Sequence, residues 1–226
     1  EVDRRSEETI IYHISKAYPD HRFLCEESGV SGNPDSDVEW IIDPLDGTTN
    51  FIRGIPHVAI SIACRIKGKL EHGVIVEPFK HEEFTASRGD GAKLNGRRIR
   101  VSGRASEVGA LYATGIPFSS PSFDHMDGYL KTMHELATNS SGIRRMGAAA
   151  LDLAYVAAGR MDAFWEMHLK PWDIAAGALL VREAGGMVSD FQGGEKFLET
   201  GHIVACTPKL VKPTLKVISK HLGKVK

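Results

Sequence analysis

Apolar residues at Ile10, Ile11, Ile14 and Ala17 recur at helical spacing and predict a helix over residues 4–17, stopped at Pro19. Phe23-Leu24-Cys25 reads as a short buried strand, and 29–37, polar with Gly and Pro, as a loop. Residues 38–42 form a strand that ends at Asp43. The apolar runs 58–66 and 70–76 flank Lys67-Gly68-Lys69 as a hairpin. Strands at 83–88, 92–94 and 97–101 follow, separated by Gly89-Asp90-Gly91 and Asn95-Gly96; Asn-Gly is a strong hairpin signal. The first half is thus a helix followed by a largely antiparallel meander.

The pattern then changes. Strands at 111–114, 163–166 and 203–206 alternate with helices at 124–137, 148–158, 171–184 and 208–221. Met126, Tyr129, Leu130, Met133 and Leu136 give the first of these helices a core-facing stripe. Pro171 opens the third and Gly185-Gly186 closes it. Such alternation predicts layered α/β packing. The boundary between an α+β half (about 1–106) and an α/β half (about 107–226) falls inside one expected domain spanning 1–226.

Charge narrows the partners. Lys and Arg total 28 against 29 Asp and Glu, a net charge of -1, so no global basic field is available for nucleic acid or anionic membrane. Any anion must be held locally. The 3 Cys (Cys25, Cys64, Cys206) are odd in number, widely spaced and without a CxxC, which fits reduced thiols in a cytoplasmic protein. No apolar run reaches the roughly 18 residues that span a bilayer, and no signal peptide is visible. The chain begins Glu1-Val2-Asp3 in what reads as mid-helix, so a preceding segment is expected.

The chemistry concentrates in Asp43-Pro44-Leu45-Asp46-Gly47-Thr48-Thr49, which follows the strand Trp40-Ile41-Ile42. Pro44 pins the backbone and Gly47 permits a turn, so a sharp reversal is expected there. Two carboxylates in one turn repel each other, and a hard divalent cation relieves that repulsion; the Leu45 carbonyl can add a further oxygen. Gly47, Thr48 and Thr49 offer amides and hydroxyls suited to a phosphate. Acidic ligands beside amide donors point to metal-assisted phosphoryl transfer to water. A lone Asp-Gly turn would as readily cap a helix; two acids, a Pro, a Gly and two hydroxyls after a buried strand weigh against that. Glu26-Glu27 after Phe23-Leu24-Cys25 repeats the theme weakly, as a pair that a solvated loop also explains. Asp173, at the start of an apolar helix, serves equally as a cap or a ligand. Glu166 ends an apolar strand, where a surface acid is the plain alternative.

Two motifs carry a family resemblance. Trp40-Ile41-Ile42-Asp43-Pro44-Leu45-Asp46-Gly47-Thr48-Thr49-Asn50-Phe51, with Pro171-Trp172-Asp173-Ile174-Ala175-Ala176-Gly177 continuing to Glu183-Ala184-Gly185-Gly186, resembles the inositol monophosphatases along essentially the whole chain. Gly147-Ala148-Ala149-Ala150-Leu151-Asp152-Leu153-Ala154-Tyr155 and Gly115-Ile116-Pro117-Phe118 look most like the bacterial extragenic-suppressor branch. The resemblance implies an α/β fold, the layered αβαβα sandwich of the sugar phosphatases. It implies two or three Mg2+ ions, the first on Glu26, Asp43 and the Leu45 carbonyl, a second on Asp43, Asp46 and Asp173. Thr48, paired with Asp3, would orient the attacking water, with Glu26 beside them in the catalytic set. Gly47 and Thr48 would hold the phosphate. Asp46, Gly147, Ala149, Glu166 and Asp173 would face the inositol. Homodimers and lithium inhibition are family traits. So are a further N-terminal helix and a mobile Lys-bearing loop ahead of Asp3, neither of which is in this sequence.

Other assignments stay open beside inositol phosphate. Adenosine bisphosphate phosphatases carry Lys-Glu where this chain has Thr49-Asn50. Fructose-1,6-bisphosphatase activity depends on sugar-pocket loops. Members of the suppressor branch are implicated in transcription antitermination through RNA polymerase, for which Arg144-Arg145 is a candidate contact, although a solvated basic pair is the plainer account. His57 reads as a packing or hydrogen-bonding residue, and residues 209–226 as a basic C-terminal helix with a solvated face.

Overall fold

The structure, a computed structural model, describes residues 1–116 and 122–223. Pro117 and Phe118 of the suppressor-branch motif, and the last residues of the basic C-terminal stretch, lie outside the described residues. Two sheets form the frame. The first comprises β1 (Arg22–Cys25), β2 (Gly29–Gly32), β3 (Val38–Asp46), β4 (Ala59–Ile66), β5 (Lys69–Glu77), β6 (Glu82–Ser87), β7 (Gly91–Leu94) and β8 (Arg97–Arg98). Their order is β2-β1-β3-β4-β5-β6-β7-β8, antiparallel except for the pair β1 and β3. The second comprises β9 (Leu111–Thr114), β10 (Gly142–Arg144), β11 (Ala163–Glu166), β12 (Met187–Ser189) and β13 (Ile203–Cys206), in the order β10-β9-β11-β13-β12. β9 runs parallel to both of its neighbours. The helices are α1 (Val2–Ala17), α2 (Thr48–Ile52), α3 (Met126–Thr138), α4 (Ala149–Ala157), α5 (Pro171–Glu183), α6 (Phe197–Thr200) and α7 (Val211–Leu222).

Strand alternation decides the layers, because successive side chains leave opposite faces. In β3, Ile41 faces the central core and Ile42 the outer one, where Ile10, Ile11 and Ile14 of α1 cover it. In β11, Phe164 faces the central core, while Ala163 and Trp165 pack with Tyr129 of α3 and Val217 and Ile218 of α7. α4 and α5 fill the middle, between the two sheets. Their sequences show it: every residue of α4 is buried, as is 174–181 of α5, and a helix apolar on all sides belongs inside. The result is the expected αβαβα layering. Among the described residues no helix is long and apolar enough to cross a membrane.

Several local expectations are corrected. Residues 29–37 are not all loop, since Gly29–Gly32 pairs antiparallel with β1. β3 does not reverse at Pro44. Its pairing with β4 passes from Asp43–Ser61 to Asp46–Ala59, so one extra residue is absorbed as a bulge, which accommodates a proline that cannot donate to the ladder. The chain bends at Gly47 instead, at φ +88°. The strand expected over 97–101 shrinks to β8, and Leu130 of the α3 stripe is exposed.

Candidate active site

The end of β3 is tied down on every side. Asp43 is buried, and its Oδ1 accepts the Leu45 N–H at 2.9 Å. Asp46 Oδ2 accepts the Ala150 N–H at 2.7 Å, in the first turn of α4. Thr48 starts α2 and its hydroxyl donates to Leu45 O at 3.1 Å. Gly47 takes a left-handed conformation that a side chain would strain, and an added Cβ would lie 3.0 Å from His57 O and 3.3 Å from Gly147 O. Buried Asn50 then staples the neighbouring loop: its Nδ2 donates to His57 O at 2.8 Å and to Met146 O at 2.9 Å. Gly147 and Ala149 are thereby brought beside Asp46.

The remaining acids arrive from other elements. Glu26 follows β1, and its N–H donates to Ile42 O at 3.1 Å, which sets it next to Asp43. The two carboxyls lie close enough to interact, which raises Asp43 and works against the rise of Glu26. Glu7 of α1, buried on the helix's apolar stripe, accepts the Glu27 and Ser28 N–H groups, both at 3.0 Å. Asp173 sits in the first turn of α5, where its Oδ2 accepts the Lys170 N–H at 2.6 Å. It is therefore a cap with one oxygen, and that bond leaves Oδ1 uncommitted. Glu166 closes β11. Asp3 is near enough for its charge to act on Glu26.

The charges of these acids act on one another. Burial pushes Asp43 up to about 10, and the charges of Asp46, Glu26 and Asp173 add to it. Desolvation pushes Asp46 up to about 8, with Asp173 reinforcing it and the Ala150 amide opposing. Asp173 rises to about 6, again chiefly by desolvation. Glu26 is raised by burial, with its interaction with Asp43 working against the shift. Glu166 rises to about 8 through desolvation and the charges of Asp173 and Asp46, against the Arg145 guanidinium. Carboxylates that repel each other this strongly, with the Leu45 carbonyl among them, make a hard-oxygen donor set suited to a divalent cation. The fit lies in that chemistry rather than in a closed cage, because among the described residues no three His, Cys, Asp or Glu side chains stand ready to hold an ion. Mg2+ keeps several of its waters and needs no such cage.

Three neighbours carry no clear signal in the sequence. Arg145, which reads as part of a solvated pair or a partner contact, turns its charge onto Glu166 and Asp152, and its Nη1 lies 2.7 Å from where a Gly147 Cβ would be. Asp152 is buried in α4 with Oδ1 unpartnered. The faint signal for Glu7 is an acid three and four residues before Ile10 and Ile11 on the apolar stripe. A cavity of about 710 Å³, lined by Ser102, Arg104, Arg160 and Asp162 among others, opens at the opposite ends of β9 and β11 and is separate from this site.

Comparison with known proteins follows the same lines. The sequence profile of the inositol monophosphatase family matches residues 1–222. The Pseudomonas aeruginosa protein named Nus factor SuhB is 59% identical over 224 residues, covering 98% of this chain and 83% of that protein. The crystal structure of the extragenic suppressor protein SuhB from Bartonella henselae matches with a TM-score of 0.92 at 47% identity, over 96% of this chain and 83% of the other. An inositol monophosphatase structure from Anabaena matches with a TM-score of 0.88 at 36% identity, over 97% and 86% of the two chains.

Proposed function

The chain belongs to the inositol monophosphatase family, and on that premise we propose that it is a magnesium-dependent phosphatase hydrolysing inositol monophosphates to myo-inositol and phosphate. The observation that carries this reading is the convergence of Asp43 and Asp46 from β3 with Glu26 after β1 and Asp173 in α5, each raised in pKa. These four, with the Leu45 carbonyl, would hold two or three ions. When bound, magnesium supplies the positive charge that phosphoryl transfer to water requires.

The chain's own groups supply the rest. The Gly47 and Thr48 amides, at the turn into α2, donate to the phosphate. The Thr48 hydroxyl, already held by Leu45 O, orients the attacking water. Asp3 and Glu26 act on that water from the α1 side. Glu166 and Asp46 accept from vicinal hydroxyls of the substrate, and Gly147 and Ala149 form the wall opposite. The same reading expects lithium inhibition, a homodimer and a cytoplasmic location.

Magnesium-dependent phosphate release from inositol 1-phosphate tests the reading. Asp43→Asn or Asp173→Asn should lower it at least about a hundredfold while the circular dichroism stays unchanged. Undiminished turnover in either variant removes it. Fructose 1,6-bisphosphate and adenosine bisphosphate in the same assay separate the alternative substrates.

A second reading follows from the name Nus factor carried by the Pseudomonas relative. It is contact with the transcription machinery through Arg144 and Arg145, which leave the edge strand β10. Polymerase pulldown that is lost with Arg144→Ala while phosphate release persists supports it; pulldown indifferent to both arginines removes it.

A further inference from the structure

We infer that Gly115 is a positioning residue that sets specificity for polyol phosphates by leaving room for the Glu166 carboxylate. The inference rests on the reading of Glu166 as acceptor of substrate hydroxyls. β9 and β11 are parallel neighbours with Thr114 opposite Trp165, so Gly115 and Glu166 leave the sheet side by side. A Cβ on Gly115 would stand 1.8 Å from Glu166 Oε1, 2.1 Å from its Cδ and 2.4 Å from its Oε2. The whole carboxylate group thus occupies the space of a missing side chain. Gly115 has no left-handed φ, so no backbone strain bars a side chain there, and the three atoms nearest to such a Cβ all belong to the Glu166 carboxylate.

The backbones on both sides are braced. The Thr114 hydroxyl lies 2.7 Å from Trp165 O and 3.1 Å from Gly115 O, and 2.6 Å from the Tyr129 hydroxyl, which is itself 3.3 Å from Trp165 O. Neither strand end is free to retreat. A side chain at 115 would therefore displace the one flexible partner, the Glu166 carboxylate, and the fold would survive. The acid would then miss the hydroxyls it is placed to receive, while the phosphate and metal groups on β3 and α5 stay where they are.

The test compares Gly115→Ala with the unsubstituted chain on inositol 1-phosphate and on p-nitrophenyl phosphate, which offers Glu166 no hydroxyl, both with Mg2+. KM for inositol 1-phosphate should rise about tenfold, the loss of one hydrogen bond, with kcat changed by less than about twofold. The preference for inositol 1-phosphate over the aryl phosphate falls in proportion. Glu166→Asp, one methylene shorter, should impair the glycine form yet restore part of the loss in the alanine form. Unmoved KM, equal loss on both substrates, or no rescue by Glu166→Asp overturns the inference. Absence of turnover by the unsubstituted chain on both substrates is a distinguishable result, which overturns the functional reading and the inference with it.

Discussion

Asp46 Oδ2 and the Ala150 N–H meet at 2.7 Å, joining the end of β3 to the start of α4 across 104 residues of chain. The carboxylate anchors a helix N-terminus, where a negative charge is favoured, while also standing among the proposed ligands. Two substitutions separate these roles. Asp46→Asn keeps an acceptor for Ala150 and, near pH 4 where the folded state holds Asp46 protonated, should leave the urea midpoint almost unchanged. Asp46→Ala also loses the anchor, about 1 kcal/mol of stability. Magnesium-dependent phosphate release should collapse in both. Full activity in the Asn form would show that the charge is dispensable.

Much of this arrangement was legible in local pattern. Pro171 and Gly185-Gly186 bracket α5, Asn95-Gly96 marks the β7–β8 hairpin, and the two acids after Trp40-Ile41-Ile42 mark the site. What escaped has physical reasons. β2, β10 and β12 are three or four residues long, too short for a period to show. The passage of β3 through Pro44 depends on a bulge against β4, which is a property of the pairing and not of either strand. Asp173 could not be told from a cap because it is a cap; what distinguishes it is its burial, with the charge of Glu26 from beyond β1 adding to it, and neither shows in the local sequence. Arg144-Arg145 read as one basic pair, and only packing turns the charge of Arg145 onto Glu166.

Asn50 uses both hydrogens of one amide to hold two loops, through His57 O and Met146 O. Asn50→Ala leaves buried carbonyls unpaired and should cost about 1–3 kcal/mol in urea denaturation. Asn50→Asp should be worse at pH 8, where a carboxylate faces two carbonyl oxygens, and should recover part of that loss at pH 5. KM should rise in both, because Gly147 is no longer held beside Asp46. Equal midpoints for the wild type and the Ala form would refute the staple.

Glu7 supports Glu26 at one remove, by gripping the amides of the next two residues. Glu7→Gln retains one acceptor oxygen and turns an NH2 group toward the second amide, so one bond is lost and the turn loosens. The expected consequence is a shift of the magnesium concentration for half-maximal activity by about threefold to tenfold, with a smaller change in kcat at saturating metal. A magnesium titration of activity checks it. An unshifted titration would detach Glu7 from the site.

Stability should depend on pH in a way that magnesium reverses. Folding raises Asp43 to about 10, Asp46 to about 8 and Asp173 to about 6. In the unfolded chain an Asp ionises near 4. Between those limits the folded state binds more protons than the unfolded state, so stability falls as pH rises. With chelator present, Tm should therefore be highest near pH 5 and decline toward pH 9. If these acids are its ligands, magnesium binds them ionised in the folded state and competes with their protons, so its stabilisation grows as pH rises. The Tm difference with and without Mg2+ should be larger at pH 8 than at pH 5, and Asp43→Asn should flatten both trends, since it removes the most strongly raised acid. Thermal melts across this range, with chelator or Mg2+, measure all three quantities. A magnesium shift that is the same at every pH would mean that these acids are not its ligands.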